Sequence, residues 1–379
     1  MATAATAAQR AAARPVLFAT GHAPAYRVGA FALLHEREGV ELALFGGRSL
    51  HGGPAGPDEL PFPVRRVRPR ELYALSASGR YRAVVCPTGG RSAPLACWAG
   101  ARRARVPLLL WASLWAHPRT LAHTFTYPAL ARLYRSADAV VTYGPHVSAY
   151  VAAHGARNVH VAPQSVDNDF WASPDVRAPS EPRWPAGASP TFMFAGRPDR
   201  EKALGVLLEA WGASGLHTTI AALVLVGVGP RPPRVPTDGA AASKNDDVVC
   251  LDPVPPEQLR DMYAASHVLV LPSIRTRTFR EPWGLAVNEA MNRGLAVIAS
   301  DEVGAAAGGL VRDGANGVVV PAGDSLALAD AMRRLADDEQ LRASLGRAGA
   351  RDVRAFSHDA WASGFAAALA SVGVSRERW

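Results

Sequence analysis

Short apolar runs alternate with amphipathic stretches along the whole chain, and this alternation limits the possible folds more than any other feature. In the first half the runs read "PVLFAT", "VELALFG", "RAVVCP", "VPLLLWAS", "DAVVTYG" and "NVHVAP". In the second half they read "TFMFAG", "AALVLVGVG", "DVVCL", "HVLVLPS", "LAVIAS" and "NGVVVP". Their apolar character is continuous rather than alternating, which predicts strands covered on both faces, as in parallel sheets. Between them, "KALGVLLEAW" places Leu204, Leu207, Leu208 and Trp211 on one helical stripe. Repeated strand–helix alternation predicts doubly wound α/β domains.

A length of 379 residues suggests two such domains. Composition breaks at "WASPDVRAPSEPRWPAGASP", a stretch rich in Pro, Ser, Ala and Gly without periodicity. The expected organisation is a disordered tail over 1–13, a first domain over 14–170 and a linker over 171–190. A second domain over 191–355 and a terminal helix over 356–379, packing back toward the first domain, complete it. The longest apolar stretch, "VPLLLWASLWA", falls far short of the ~20 residues that cross a bilayer. Cys86, Cys97 and Cys250 form no CxxC pair and no metal-finger spacing, which fits a reduced, cytoplasmic setting.

The net charge of +8 is almost wholly arginine, Lys202 and Lys244 being the two lysines. No nucleic-acid-binding signature accompanies it, so nucleic acid is disfavoured as a partner. Trp98, Trp111 and Trp115 lie near Arg102, Arg103, Arg105 and Arg119. That mixture suits either a peripheral contact with the inner face of a membrane or a buried sheet with a basic rim. The buried sheet is the expectation.

Ligands of open α/β sheets bind beyond the carboxyl ends of the strands. In the second half those ends present Arg197 and Lys202 after "FMFAG", and the glycines 227 and 229 after "LVLV". The stretch "FREPWGLAVNEAMNRG", residues 279–294, follows "VLVLPS" and holds Glu281 and Glu289 around a Pro-Trp-Gly corner. A helix opening at Gly284 would offer unpaired N–H groups and its positive dipole end to a phosphate. Arg197 and Lys202 could meet the same anion. Glu289 would reach back along the helix to accept hydrogen bonds from a ribose, and Glu281 to accept them from a sugar beyond the diphosphate.

Glu281 to Glu289 reproduces the E-x7-E pattern of the GT-B fold, retaining glycosyltransferases of family 4. "FAGRPDREKALGVLLEAW", "LVLVGVGP", "PPEQLRDMYAASHVLVLPS", "FREPWGLAVNEAMNRGLAVIASDEVGAA" and "LVRDGANGVVVPAGD" resemble that family's donor domain in order, over about residues 190–360. The resemblance implies two Rossmann-like domains with the active site in the cleft between them. It implies a nucleotide-sugar donor, a hydroxyl-bearing acceptor and no obligatory metal. Arg197 and Lys202 would bind the diphosphate, and Gly227, Pro282, Trp283, Gly284 and Leu285 would line the donor. Glu281 would touch the sugar, Glu289 the ribose, and Pro253 and Val254 the base.

The first half matches less well. Where many members carry a Gly-Gly loop, the chain reads "FATGHAPAYRVGAFALL", with Tyr26 and Arg27 in the loop and His22 before it. His117 in "WASLWAHPRT" fills the slot where members commonly place a histidine near the acceptor. The triplet Asp167-Asn168-Asp169 resembles a metal signature of another glycosyltransferase fold but precedes the linker, where a hinge is expected. Rival readings are a glycosidase using the paired carboxylates, a dinucleotide dehydrogenase, a sugar-nucleotide epimerase or hydrolase, and a nucleotide-sugar binder without turnover. A dehydrogenase is disfavoured because "GHAPAYRVG" is no G-x-G-x-x-G.

Overall fold

A computed structural model describes residues 14–46, 59–89, 92–175, 177–181, 183–230 and 248–376, so the tail expected over 1–13 lies outside the described residues. The chain divides into two units, Met1–Asp167 with Ser357–Trp379, and Asn168–Phe356.

The first unit holds seven strands, β1 (Val16–Thr20), β2 (Val40–Leu44), β3 (Val64–Arg66), β4 (Ala83–Pro87), β5 (Leu108–Ala112), β6 (Ala139–Thr142) and β7 (Val159–Val161). All pair in parallel, in the order β3-β2-β1-β4-β5-β6-β7. Helix α1 (Ala25–Glu38) crosses from β1 to β2. Helices α2 (Leu72–Ser76), α3 (Ala93–Ala104), α4 (Leu121–Ser136) and α5 (Pro145–Ala153) join the later strands. Strand β1 shows why its run is apolar throughout. Val16 and Phe18 face a core shared with Phe31 of α1, while Leu17 and Ala19 face a second core shared with Leu72 and Cys97. Side-chain alternation along a doubly covered strand requires both faces to be apolar.

The second unit holds α6 (Asn168–Ala172), β8 (Thr191–Ala195), α7 (Leu204–Ser214), β9 (Ala222–Val226), β10 (Val248–Leu251), α8 (Pro256–Ala264) and β11 (Val268–Leu271). It continues through α9 (Ala286–Asn292), β12 (Ala296–Ser300), α10 (Gly304–Ala307), β13 (Val318–Val320), α11 (Ser325–Asp337) and α12 (Glu339–Asp352). Its six strands are again all parallel, in the order β10-β9-β8-β11-β12-β13. Counted within each unit, the first six strands share one order, 3-2-1-4-5-6, the doubly wound arrangement. On α7 the predicted stripe buries Leu204, Leu207 and Trp211.

The last helix, α13 (His358–Ser371), belongs to the first unit. Its Trp361 and Phe365 are fully buried beside Phe18. Gly364 lets it lie on β7, since a Cβ there would come within 2.2 Å of the Val161 carbonyl oxygen. The segment read as a linker begins inside the second unit. Trp171 of α6 is buried against Tyr263, and Arg293 Nη1 donates to the Ser173 carbonyl at 2.6 Å. Among the described residues no helix is long and apolar enough to cross a membrane.

Candidate functional site

In the second sheet the crossovers diverge between β8 and β11, so a crevice opens beyond the carboxyl ends of these two strands. Beyond β8 the chain makes a single 3-10 turn, Arg200–Lys202. Ala203, at φ 52°, then reverses it into α7. Beyond β11 it passes Ser273 and Ile274 and returns at Glu281. The two exits are tied together by Ile274 N–H donating to the Glu201 carbonyl at 2.8 Å. That tie brings Lys202 Nζ onto the Glu281 carboxylate as an ion pair. Ser273 Oγ also donates to Glu281 Oε2, at 3.4 Å. Glu281 is 7% exposed, so its charge is sustained by the lysine rather than by water. Lys202 and Glu281, singled out separately from the sequence, are thus one unit.

The corner between them is rigid. Gly284 sits at φ 93°, and a Cβ on it would come within 2.6 Å of Leu271 Cδ2. Gly304 N–H donates to the Glu281 carbonyl at 3.2 Å, and Ala305 N–H to the Trp283 carbonyl at 2.7 Å. Trp283 is buried, with Nε1 donating to Asn288 Oδ1 at 2.7 Å and its ring 5.6 Å from Phe356. Its indole supports the corner from within. Pro282 and Leu285 are partly exposed. The helix opens at Ala286 with Leu285 as its N-cap, slightly later than the start expected at Gly284.

Glu289 lies in the first turn of α9 and accepts a hydrogen bond from the Tyr263 hydroxyl of α8 at 3.0 Å. Burial pushes its carboxyl up to about 7, against the Tyr263 bond, which draws it down. Gly227, at φ 90°, follows β9, and a Cβ there would lie 2.7 Å from the Gly196 carbonyl oxygen. The N–H groups of Gly227, Val228 and Gly229 converge on the Leu251 carbonyl, which sets this loop beside the turn that carries Val254. Arg197 is more exposed and pairs with Asp199 at 2.6 Å. Ser273 and Tyr263 escaped the sequence reading. Neither stands in a spacing that signals its partner.

At the corresponding place in the first sheet, beyond β1, the arrangement differs. Arg27 is 3% exposed and stacks over Trp111 and Trp361 at 5.1 and 5.5 Å, with Nη2 donating to Gln164 Oε1. Its Nη1 is buried without a partner among the described residues. Tyr26 is exposed. His22 and His117 each bury Nδ1 without a partner among the described residues, and His117 Nε2 lies 2.9 Å from the His123 carbonyl oxygen. His117 also meets the Tyr127 ring edge-on at 4.9 Å. Trp111 packs against Phe18 and Trp361 inside the unit, and Trp115 against His146. Among the described residues no group of three His, Cys, Asp or Glu side chains could hold a metal ion, the Asp167–Asp169 triplet included.

A family model described as glycosyl transferases group 1 matches residues 189–338, a span that lies within the second unit and contains Lys202, Glu281 and Glu289. That span of the chain, less than half of it, is similar to glycosyl transferases group 1. The D-inositol 3-phosphate glycosyltransferase of Xylanimonas cellulosilytica is 36% identical over 205 residues, 51% of this chain and 46% of that protein. The chain therefore matches less than half the length of this curated relative. Solved structures match over nearly the whole chain. Anabaena HepE in complex with UDP and glucose gives a TM-score of 0.68 at 18% identity, covering 94% of this chain and 100% of that one. Sucrose-phosphate synthase from Thermosynechococcus elongatus gives 0.66 at 22% identity, covering 93% and 97%. With two parallel Rossmann-like sheets and these neighbours, the chain has a GT-B fold.

Proposed function

We propose that this chain is a retaining family 4 glycosyltransferase that moves a hexosyl group from a nucleotide-diphosphate sugar to a hydroxyl acceptor. The observation that carries the reading is the pairing of Lys202 with the buried Glu281 at the crevice of the second sheet, with Glu289 eight residues farther on. A lysine and a carboxylate held together there offer a cation to a diphosphate and an acceptor to sugar hydroxyls in one place. The relative from Xylanimonas is named a glycosyltransferase, and the Anabaena neighbour was solved with UDP and glucose, which supports the donor class.

In this reading Lys202 and Arg197 neutralise the diphosphate as its bond to the anomeric carbon breaks, an electrostatic stabilisation of the leaving group that calls for no obligatory metal. Pro282, the Gly284–Leu285 corner and Gly227 bring backbone close to the phosphates. Val254 borders the base and Glu289 holds the ribose. The acceptor oxygen bonds to the anomeric carbon on the face the diphosphate leaves, and its proton passes to a leaving phosphate oxygen. His117, Tyr26, Arg27 and His22 serve the acceptor. Isothermal titration with nucleoside diphosphates and NAD, followed by a hydrolysis screen of GDP-, UDP-, ADP- and dTDP-sugars, tests the reading. Binding of one diphosphate and slow hydrolysis of its sugar ester are expected. Preference for NAD, or no diphosphate binding, would sink it.

A further inference from the structure

We infer that the outer face of α3 and α4 in the first unit docks on a bilayer containing anionic phospholipid. From Leu72 to Ala137 the sequence holds no aspartate or glutamate and nine arginines, more than the whole net charge of +8. The remainder of the chain is close to neutral. Two of the nine are spent internally, Arg82 on Glu38 and Arg80 on Glu41. Six more, Arg102, Arg103, Arg105, Arg119, Arg132 and Arg135, are exposed, and none makes an ion pair among the described residues. The chain has gathered unneutralised positive charge on one region of one unit.

Apolar exposure falls in the same place. Leu121 and Phe125 of α4 are 81% and 82% exposed, the two most exposed large apolar side chains among the described residues. At helical spacing Leu121, Phe125, Pro128, Arg132 and Arg135 form one stripe, apolar toward the start of α4 and basic toward its end. Arg132 reaches the Trp98 ring of α3 at 5.8 Å, and Arg102 reaches the same ring at 5.9 Å, so the two helices share one basic surface. Leu95 of α3 is exposed as well. Near Arg135 a cavity of about 400 Å³ opens between α4 and α5, bordered by Tyr127, Pro128 and His154.

Arginines beside protruding aliphatic and aromatic side chains suit a headgroup layer. The cations meet phosphates while Leu121 and Phe125 enter the acyl boundary. A polynucleotide would satisfy the arginines and leave Leu121 in water. Of the three tryptophans that the sequence offers for such a contact, Trp111 and Trp115 pack within the unit and Trp98 lies against Arg102 and Arg132; helices α3 and α4 supply the contact. This inference rests on exposure and charge alone and does not depend on the transferase reading.

Co-sedimentation of the full chain with vesicles, without nucleotide, tests it. Vesicles of phosphatidylcholine with about 30 mol% phosphatidylglycerol should bind the chain, and pure phosphatidylcholine should bind at least about tenfold less. Raising NaCl from about 50 to 500 mM should weaken binding by at least about tenfold, because attraction at a surface is screened. The double variant Arg119→Glu with Arg132→Glu should lose at least about tenfold, since each arginine near such a surface is worth about fivefold. Leu121→Ser with Phe125→Ser should lose about tenfold while the thermal midpoint stays that of the parent, as both side chains are exposed. The inference is overturned if neutral and anionic vesicles bind alike, or if the Ser variant binds like the parent. It is equally overturned if the chain retains single-stranded RNA or self-associates through these residues and ignores vesicles.

Discussion

Both units close the same strand order around a crevice at the same place, yet they fill it in opposite ways. Beyond β8 and β11 the second unit sets a lysine on a carboxylate, with a serine and two tied loops fixing the geometry. Beyond β1 the first unit buries Arg27 among Trp111, Trp361 and Tyr26, with Nη2 donating to Gln164 Oε1. One crevice is a charged pair whose members stabilise each other. The other is a cation tolerated because a guanidinium is weakly hydrated and stacks on aromatic faces. Topology therefore decides where a ligand can approach, and the strand exits decide what approaches.

The largest expected effect tests that contrast with one substitution made twice. Lys202→Met strands the Glu281 carboxylate and should cost about 3–5 kcal/mol of stability, the range for breaking a buried pair from one side. Arg27→Met removes a buried cation with its Gln164 hydrogen bond and its stacking on Trp111 and Trp361 but strands no charge, so stability should fall by only about 1–2 kcal/mol. Urea denaturation reads both. Equal losses would mean that the two crevices are not energetically different. Arg197→Ala adds a control. It should weaken nucleoside diphosphate binding by roughly 1.5–3 kcal/mol, as a lost charge-assisted contact, and leave stability almost untouched.

The next effect separates the two acids of the second crevice. Glu281→Gln keeps the shape and should lower turnover by about 10²–10³-fold while nucleoside diphosphate affinity holds within about threefold. Glu289→Gln should do the converse, raising the dissociation constant by about tenfold with a smaller loss of turnover, because its contacts are to the ribose. Steady-state rates with titration calorimetry decide, and identical profiles for the two variants would refute the division of roles. Across the comparison, His117→Ala in the first unit should raise the acceptor KM by about tenfold and spare donor hydrolysis. A loss of donor hydrolysis equal to the loss of transfer would move His117 out of the acceptor role.

The sequence made the second unit more legible than the first for a physical reason. All twelve apolar runs became strands, because a strand covered on both faces must be apolar at every position. The thirteenth, β3, reads Val64-Arg65-Arg66 and escaped. It is an edge strand whose Arg65 pairs with Glu41, itself a buried acid near the start of β2 that Arg80 also holds. Gly284 was readable because the chain turns there at positive φ, and Lys202 and Glu281 because they follow strand ends. Their mutual contact was not, since 79 residues separate the ion pair. Tyr263 could not be found as the partner of Glu289, because a buried tyrosine on a helix face looks like core. In the first unit, Arg27 could not be placed beneath Trp361, which comes from the last helix of the chain.

The smallest expected effect belongs to Glu289 and reverses sign between binding and folding. Burial holds its carboxyl at about 7, above its ordinary value of 4.5. A carboxyl raised on folding takes up a proton that the unfolded chain releases, so its stabilising share is complete below pH 4.5 and is lost as pH rises through about 7. Binding runs the other way, because a ribose hydroxyl donates best to the ionised carboxylate. Affinity for an intact nucleotide-diphosphate sugar, whose phosphates take up no proton in this range, should therefore fall by up to about fivefold from pH 8 to pH 6. Ligand-free stability should rise over the same interval. Glu289→Gln should flatten both trends, while Arg27→Met in the other crevice should leave them as they are. A parent with pH-independent affinity, or a glutamine variant that keeps the slope, would remove Glu289 from the ribose and leave it a partly buried acid capped by Tyr263.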